Sequence, residues 1–373
     1  MNTNLTDTHV LFLRLVRLGL GHTEIVPFTD NVDWIELKAL ANTQGLSAIV
    51  LDGLNYLRRD VKDIEGVALP PKAMTLQWIG EVLQSFEVRY KAYERAIGSL
   101  AKWYNCHGFK MMVLKGYACS LDWPKPEYRP CGDIDIWLFG EQKNADRELL
   151  SSFRQHNPNF RIDSSHHHHT VFEWLTFTVE NHYDFVNVHA HKSSAELEKV
   201  FKELGSDASH FVEVLGEKVY LPSPNLHALF LIRHMVSHFS ASEITLRQVL
   251  DWGFFVEKHG KEVDWDWLFK MLEKYHMKEF MNCINAICVG DLWFDVKLFQ
   301  EVKFIPVLKD RVLADILDPA YGAAEPGALF PRLLFKYRRW QGNAWKQRLC
   351  YSESRWNSFW RGIWAKILKP SSF

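Results

Sequence analysis

The stretch LKGYACSLDWPKPEYRPCGDIDIWL, residues 114–138, is the part of the chain that decides the fold. Its final segment alternates polar and apolar side chains, which predicts a β-strand. Because residues two apart on a strand project from the same face, we expect Asp133 and Asp135 to direct their carboxylates into one space. Two carboxylates at such close range repel each other unless a cation lies between them. The pair would therefore suit a divalent cation with oxygen ligands, Mg²⁺ or Mn²⁺.

The residues upstream of the Asp-Ile-Asp segment help to distinguish a metal site from an edge strand with two solvated acids. The Asp-x-Asp pattern is common, and taken alone it favours the edge strand. Lys115 and Gly116, however, end the apolar run FKMMVL and precede a predicted helix, so an ammonium and backbone N–H groups would meet a phosphate there. Arg129 lies four residues before Asp133, and Gly132 permits close approach of the backbone. This setting favours a site for metal and phosphate.

Outward from this stretch, the character of the sequence changes along the chain. Residues 1–105 repeat apolar positions three and four apart, which predicts helices. Residues 106–222 hold short β-branched and aromatic runs with a helical segment between them, which predicts an α+β unit with a small mixed sheet. Residues 223–325 return to helical periodicity, and residues 326–373 form a basic, Trp-rich tail. We therefore expect a central α+β domain between two helical regions.

Charge and cysteine content limit the class of protein. The formal net charge of -1 gives the whole chain no electrostatic preference for nucleic acid or for a membrane. The segment from Pro331 to Phe373 differs, because it carries ten basic residues and one acidic residue. Six cysteines without a Cys-x-x-Cys pair are typical of reduced thiols, and no apolar run is long enough to cross a bilayer. We therefore expect a cytoplasmic protein without a transmembrane segment.

Four motifs carry a resemblance to a known family: LKG at 114–116, Arg129, GDIDIWL at 132–138 and VENH at 179–182. Together they resemble the uncharacterised bacterial nucleotidyltransferases of the DNA polymerase beta-type superfamily. The resemblance implies the polymerase beta-type fold, in which a mixed sheet is flanked by helical regions. It also implies transfer of a nucleoside monophosphate from a nucleoside triphosphate to an acceptor, with release of pyrophosphate. The acceptor is left open and could be a protein, a small molecule or a nucleic acid.

The resemblance assigns roles to individual residues. It implies that Asp133 and Asp135 bind Mg²⁺ or Mn²⁺ and that Glu180, on a neighbouring strand, is the third carboxylate. The residues that we expect to bind nucleotide are Lys115, Gly116, Arg129, His182 and Arg247. Asp184 has the same strand parity as Glu180 and is the alternative third carboxylate.

The chain departs from the superfamily pattern at one position of consequence. The superfamily has a Gly-Ser pair where this chain has Lys115-Gly116, and Ser120 is too far along the chain to replace that serine simply. A catalytically degenerate nucleotide-binding or scaffold protein of the same fold is therefore the alternative to an active enzyme.

Two helical pairs have both a structural and a functional interpretation. His234 and His238 are four residues apart, which is the spacing of metal ligands on one helix face, so a zinc hydrolase is a third hypothesis. Such pairs more often serve packing, and no HExxH motif is present here. Arg247 and Asp251 have the spacing of a surface ion pair, whereas the resemblance favours contact between Arg247 and phosphate.

Two further segments are unusual in composition. The four histidines at 166–169 form either a polar loop or an edge of the cleft, and an extended chain could direct only some of them to one side. Trp356, Trp360 and Trp364 recur every four residues in the basic tail. This stripe is typical of a face packed within the protein, and contact with an anionic surface is the alternative.

Overall fold

A computed structural model of the chain describes residues 5–22, 32–60, 68–140, 142–165, 169–188, 191, 193–300, 305–322, 326–354 and 356. The first part is helical, with α1 (Asp7–Leu20), α2 (Trp34–Thr43), α3 (Ser47–Asp60), α4 (Lys72–Val82) and α5 (Arg89–Cys106). A π-helical segment, Leu83–Val88, joins α4 to α5 without a break. Helices were predicted for this part of the chain.

Two glycines allow α1 and α3 to pack backbone against backbone. A Cβ atom on Gly19 would collide with the carbonyl oxygen of Ile49, and a Cβ atom on Gly53 would collide with that of Leu15. Because glycine has no side chain, the two helices approach more closely than any other residue at these positions would allow. Thr6 caps the start of α1 by accepting a hydrogen bond from the backbone N–H of His9.

The centre of the chain forms a seven-stranded mixed sheet. Its elements in chain order are β1 (Met111–Val113), α6 (Tyr117–Ser120), β2 (Ile134–Leu138), α7 (Lys143–His156), β3 (Ile162–Asp163), β4 (His169–Trp174), β5 (Phe177–His182), α8 (Ser194–Leu204), β6 (Phe211–Val214) and β7 (Glu217–Tyr220). The strand order is β3-β4-β5-β2-β1-β7-β6. β2 runs parallel to β5 and antiparallel to β1, and β1 runs parallel to β7. The predicted α+β class and mixed sheet are confirmed, although the sheet is larger than expected.

Both faces of the sheet are covered near its middle. Ile134 and Ile136 of β2 pack in a core shared with α5 and α7, because alternate side chains of a strand point to one side. Met112 and Trp137 point to the opposite side and pack in a second, larger core. Burial on both faces explains why all of β1 and every residue of β2 except Asp135 are apolar.

The remainder of the described chain is again helical. It contains α9 (Pro224–Ala241), α10 (Leu246–His259), α11 (Trp265–Lys274), α12 (Lys278–Gly290), α13 (Pro306–Leu317), α14 (Leu329–Gly342) and α15 (Ala344–Cys350). Asp264 caps α11 by accepting a hydrogen bond from the backbone N–H of Trp267. Apolar residues of these helices other than α14 share one core with α1 and α3. Among the described residues, no helix is both long and apolar enough to cross a membrane.

Candidate active site

The register of β2 and β5 brings two acidic residues side by side. In this parallel pair Asp135 lies opposite Glu180, and Trp137 lies opposite His182. Residues two apart on a strand share a face, so Asp135, Glu180 and His182 all project from the side opposite Ile134. The neighbouring residues of β5, Val179 and Asn181, are fully buried on the other side. The burial of these neighbours fixes which way the acidic residues face.

Asp135, Glu180 and His182 form a compact group. One ligand atom from each of the three lies within 4.8 Å of the others, and no other group of three His, Cys, Asp or Glu residues does so in the part of the chain that the structure describes. The Nε2 atom of His182 lies 3.0 Å from Asp135 Oδ1 and 3.5 Å from Glu180 Oε2. Two carboxylates and an imidazole fit a divalent cation that accepts both oxygen and nitrogen ligands, such as Mn²⁺, and also Mg²⁺ with retained waters.

Lys115 supplies a positive charge to the buried carboxylate of this group. Its Nζ lies 2.9 Å from Asp135 Oδ1. Burial alone would raise the pKa of Asp135, but Lys115 and His182 outweigh burial and hold that pKa well below its usual range. Asp135 is therefore ionised at neutral pH.

The hydrogen bonds within the group also shift the pKa values of Glu180 and His182, the two neighbours of Asp135 on β5. The hydrogen bond with His182 lowers the pKa of Glu180 more than burial raises it. Burial lowers the pKa of His182, yet its hydrogen bonds with Asp135 and Glu180 leave the net pKa above its usual value. The Nε2 atom of His182 therefore faces both carboxylates, and a cation bound by the group would compete with a proton for this atom.

Asp133 lies beside the group rather than on the strand. β2 begins at Ile134, so Asp133 is the residue before it, and its side chain is exposed. The hydroxyl of Tyr93 donates to the carbonyl oxygen of Asp133 at 2.8 Å and fixes the backbone there. Burial and the neighbouring Glu180 and Asp135 raise the pKa of Asp133. The carboxylate of Asp133 thus interacts electrostatically with both acids of the group, although Asp133 is not one of the three residues whose ligand atoms lie within 4.8 Å of one another.

Gly116 is required by its conformation and by its neighbour Tyr93. Its φ of 55° with ψ of -96° lies in a region that residues with a side chain avoid. A Cβ atom would lie 2.7 Å from the hydroxyl oxygen of Tyr93, the same hydroxyl that holds Asp133. The predicted helix after Gly116 is α6, which has four residues and is therefore too short to provide a helix dipole.

Arg129 and Arg247 border a cavity of about 190 Å³ next to the group. This cavity, which we call the Arg247 cavity, is also lined by Lys115, Gly116 and Asp133. Burial and the nearby Arg129 lower the pKa of Arg247, and its buried Nε atom makes no hydrogen bond within the described residues. An arginine in this state favours binding of an anion.

Arg129 itself is engaged by α10. Its Nε and a terminal nitrogen lie 2.8 and 2.9 Å from the two carboxylate oxygens of Asp251, and both residues are buried. Trp123 Nε1 donates to the same carboxylate at 2.8 Å. The interpretation of Arg247 and Asp251 as a surface ion pair is therefore wrong, because Asp251 is buried and is bound by Arg129.

A second cavity, of about 340 Å³, borders the group and is lined by Lys115, His182, Arg233, His234 and His238; we call it the Arg233 cavity. Arg233 carries no motif that distinguishes it from other helix residues, and sequence reasoning missed it. Sequence reasoning also missed Tyr93, because its contact with Asp133 joins residues forty positions apart.

A family of known proteins matches most of the chain. The family described as uncharacterised nucleotidyltransferase matches residues 30–292, which include the whole sheet and the group on β2 and β5. The chain belongs to that family. No curated protein matches the chain.

One solved structure matches part of the chain. It is that of an antigenic nucleotidyltransferase-like protein from Paracoccidioides brasiliensis, with 17% sequence identity and a TM-score of 0.31. The match covers 44% of this chain and 75% of the other. A similarity at this level carries no argument about site or mechanism.

The two histidines of α9 lie within the family-matched segment but do not form a metal group of their own. The rings of His234 and His238 are 4.4 Å apart, and burial followed by Lys115 lowers the pKa of both. No third ligand joins them among the residues that the structure describes. The zinc-hydrolase hypothesis therefore gains no support.

The remaining candidate residues from the sequence lie at the border of the site or beyond it. Asp184, the alternative third carboxylate, pairs with Lys202 at 3.2 Å and is not part of the group. His169 lies opposite His182 in the pairing of β4 with β5, and residues 166–168 lie outside the described residues. In the tail, Trp360 and Trp364 also lie outside them, whereas Trp345 packs against Phe239 of α9.

Proposed function

We propose that this member of the family is a metal-dependent nucleotidyltransferase with the polymerase beta-type fold. In the proposed reaction, an acceptor atom attacks the α-phosphorus of a nucleoside triphosphate, the bond to the bridging oxygen breaks, and pyrophosphate leaves. The observation that carries the proposal is the group of Asp135, Glu180 and His182 within the family-matched segment.

The residues of the group fit a divalent cation by their donor atoms and their charge. Asp135 and Glu180 both have pKa values below their usual range, so both carboxylates are ionised and ready to bind a cation. Asp133 adds a third acid beside them. A Mg²⁺ or Mn²⁺ ion held there would supply positive charge to the phosphate oxygens as negative charge develops on them.

Cationic residues of the chain would bind the triphosphate. Arg247 has a buried Nε atom without a hydrogen bond in the described residues and faces the cavity shared with Lys115 and Gly116. Lys115 now neutralises Asp135, and it becomes available to a phosphate oxygen when a cation takes over that carboxylate. Arg129 acts indirectly, because its guanidinium is held by Asp251 and keeps the loop before Asp133 in place.

The catalytically degenerate rival is favoured by one specific observation. Lys115 and His182 already satisfy Asp135, so the carboxylate has partners without any metal. Together with the missing serine, this arrangement is what a nucleotide-binding protein without turnover would have. Under either hypothesis we propose a cytoplasmic location, because all six cysteines are free thiols.

Label transfer distinguishes the enzyme from the rival. The protein is incubated with each α-labelled nucleoside triphosphate, Mg²⁺ or Mn²⁺, and a fractionated extract that supplies protein, small-molecule and nucleic acid acceptors. We expect label on one acceptor class together with pyrophosphate release, and loss of both in Glu180→Gln. Heat protection by nucleotide without transfer, for all triphosphates and both metals, would establish the rival instead.

A further inference from the structure

The Arg233 cavity contains a buried arginine without an acidic partner. The side chain of Arg233 is 4% exposed. It donates to Ser194 Oγ at 3.2 Å and lies 5.1 Å from the centre of the Tyr351 ring, while its buried Nε atom makes no hydrogen bond in the described part of the chain. No carboxylate pairs with it among the described residues, so a charge has been removed from water without a counter-ion.

Arg129 has the carboxylate partner that Arg233 lacks among the described residues. Arg129 is buried to a similar degree, and both oxygens of Asp251 receive its guanidinium. Buried arginines generally have such a bidentate partner, because the planar guanidinium matches a carboxylate or a phosphate. At Arg233 the chain supplies a hydroxyl and an aromatic ring in place of that anion.

The acidic residues around the cavity are already paired. Asp184, which lines the cavity, binds Lys202 at 3.2 Å, and Asp135 nearby binds Lys115 at 2.9 Å. Glu353, which lies 3.9 Å from the lining residue His191, accepts hydrogen bonds from the backbone N–H and the hydroxyl of Ser193 at 3.0 and 3.2 Å. The other ionisable residues that line the cavity include the imidazoles of His182, His191, His234 and His238. The cavity therefore favours an anion, and the described residues that line it include no spare carboxylate to repel one.

The position of the cavity relates it to the reaction. The Arg233 cavity and the Arg247 cavity share Lys115 and His234, and Lys115 contacts Asp135. Ligands bound in the two cavities would therefore meet at the metal group. With the nucleotide phosphates assigned to the Arg247 cavity, the Arg233 cavity is left for the second substrate, and its volume of about 340 Å³ is that of a small-ligand pocket.

We propose that Arg233 binds an anionic group of the acceptor, so that the acceptor carries a phosphate or a carboxylate. The identification of the bound anion as part of the acceptor rests on the proposed function, but the anion site itself can be tested without turnover. Inorganic phosphate is the probe for one anion and acetate for the other. Chloride at equal ionic strength is the reference.

The test measures the melting temperature of the full chain during titration with each anion, with and without a saturating non-hydrolysable nucleoside triphosphate and Mg²⁺. We expect phosphate or acetate to stabilise the nucleotide-saturated wild type further. Arg233→Met should weaken that effect by about tenfold or more in anion concentration, because charge-assisted hydrogen bonds are lost. Arg311→Met is the control: it removes an exposed guanidinium from the face of Trp345, outside the cavity, and should behave as wild type.

The outcomes separate the anion site from the proposed function. Equal anion stabilisation of wild type and Arg233→Met would overturn the inference. Loss of nucleotide stabilisation in Arg233→Met would also overturn it, because Arg233 would then bind the nucleotide. If no triphosphate stabilises the wild type while phosphate still does so through Arg233, the anion site stands and the proposed function fails.

A second measurement covers the case in which Arg233→Met does not fold. Wild-type protein is treated with the arginine reagent phenylglyoxal, and modification is read at each arginine by peptide mass spectrometry. Phosphate or acetate should protect Arg233 in the nucleotide-saturated protein, while Arg311 reacts as before. Unchanged modification of Arg233 at saturating concentrations of both anions would contradict the proposal.

Discussion

At the scale of single residues, the site depends on which neighbours stabilise the negative charge of one buried carboxylate, that of Asp135. Asp135 is nearly inaccessible, and it remains ionised because Lys115 and His182 contact it directly. Asp133, two residues earlier, is exposed and lies before the strand. The two aspartates of one short motif therefore have different environments, and we expect them to contribute differently to cation binding.

Gly116 offers a test of how the backbone around this site is held. Gly116→Ala should lower the free energy of unfolding by about 1–3 kcal/mol, because the conformation at this position is strained for any residue with a side chain. It should also displace the Tyr93 hydroxyl, which a Cβ atom would contact at 2.7 Å. Urea unfolding measures the effect.

Gly132→Ala is the control for that substitution. Gly132 lies next to Asp133, and a Cβ atom there would have nothing within 4 Å. Its free energy of unfolding should stay within about 0.5 kcal/mol of wild type.

In a double-mutant cycle, Tyr93→Phe should relieve part of the cost of Gly116→Ala. Strict additivity of the two changes would show that the hydroxyl is not the obstacle.

At the scale of elements, a buried ion pair connects the loop before β2 to α10. Arg129 and Asp251 are 122 positions apart in sequence, and Trp123 donates to the same carboxylate. The loop between α6 and β2 is thereby anchored at two points to one helix. In the proposed function, Arg129 would therefore act by holding this loop in place.

Removing one member of this pair should be costly. Asp251→Asn leaves a buried guanidinium without its carboxylate and should destabilise the fold by about 3–5 kcal/mol. Replacing both residues, as in Arg129→Met with Asp251→Leu, should restore much of that loss because no buried charge remains. Chemical denaturation of both proteins provides the comparison. A double variant as unstable as Asp251→Asn would show that the unpaired buried charge is not the source of the loss.

At the scale of the whole molecule, the sequence predicts the parts of the site that lie close together on strands. The alternation in GDIDIWL predicts the strand that carries Asp135, and the family resemblance of VENH implies Glu180 on a neighbouring strand, where the structure places it. The partner of Arg129 could not be predicted, since Asp251 approaches it only through the packing of α10. Arg233 and Tyr93 were missed because each acts through contacts that exist only in the folded chain.

Stability should depend on pH through a buried histidine outside the site. Burial lowers the pKa of His227 from 6.5 to about 4, so the folded protein binds its proton less readily than the unfolded chain. Its contribution is present above pH 6.5 and is lost as pH falls toward 4. Between pH 7 and pH 5 the wild type should lose on the order of 2 kcal/mol more than His227→Leu. Urea unfolding at both pH values measures the difference, and equal losses would contradict the assignment.

In the proposed function, Asp135, Glu180 and His182 hold a divalent cation. Titration of the protein with Mn²⁺, with free Mn²⁺ measured by electron paramagnetic resonance, tests it without knowledge of the acceptor. Wild type should bind Mn²⁺, Asp135→Asn should raise the dissociation constant by about tenfold or more, and Asp184→Asn should match wild type because Asp184 pairs with Lys202. Equal binding by wild type and Asp135→Asn, or equal loss in Asp184→Asn, would contradict the claim.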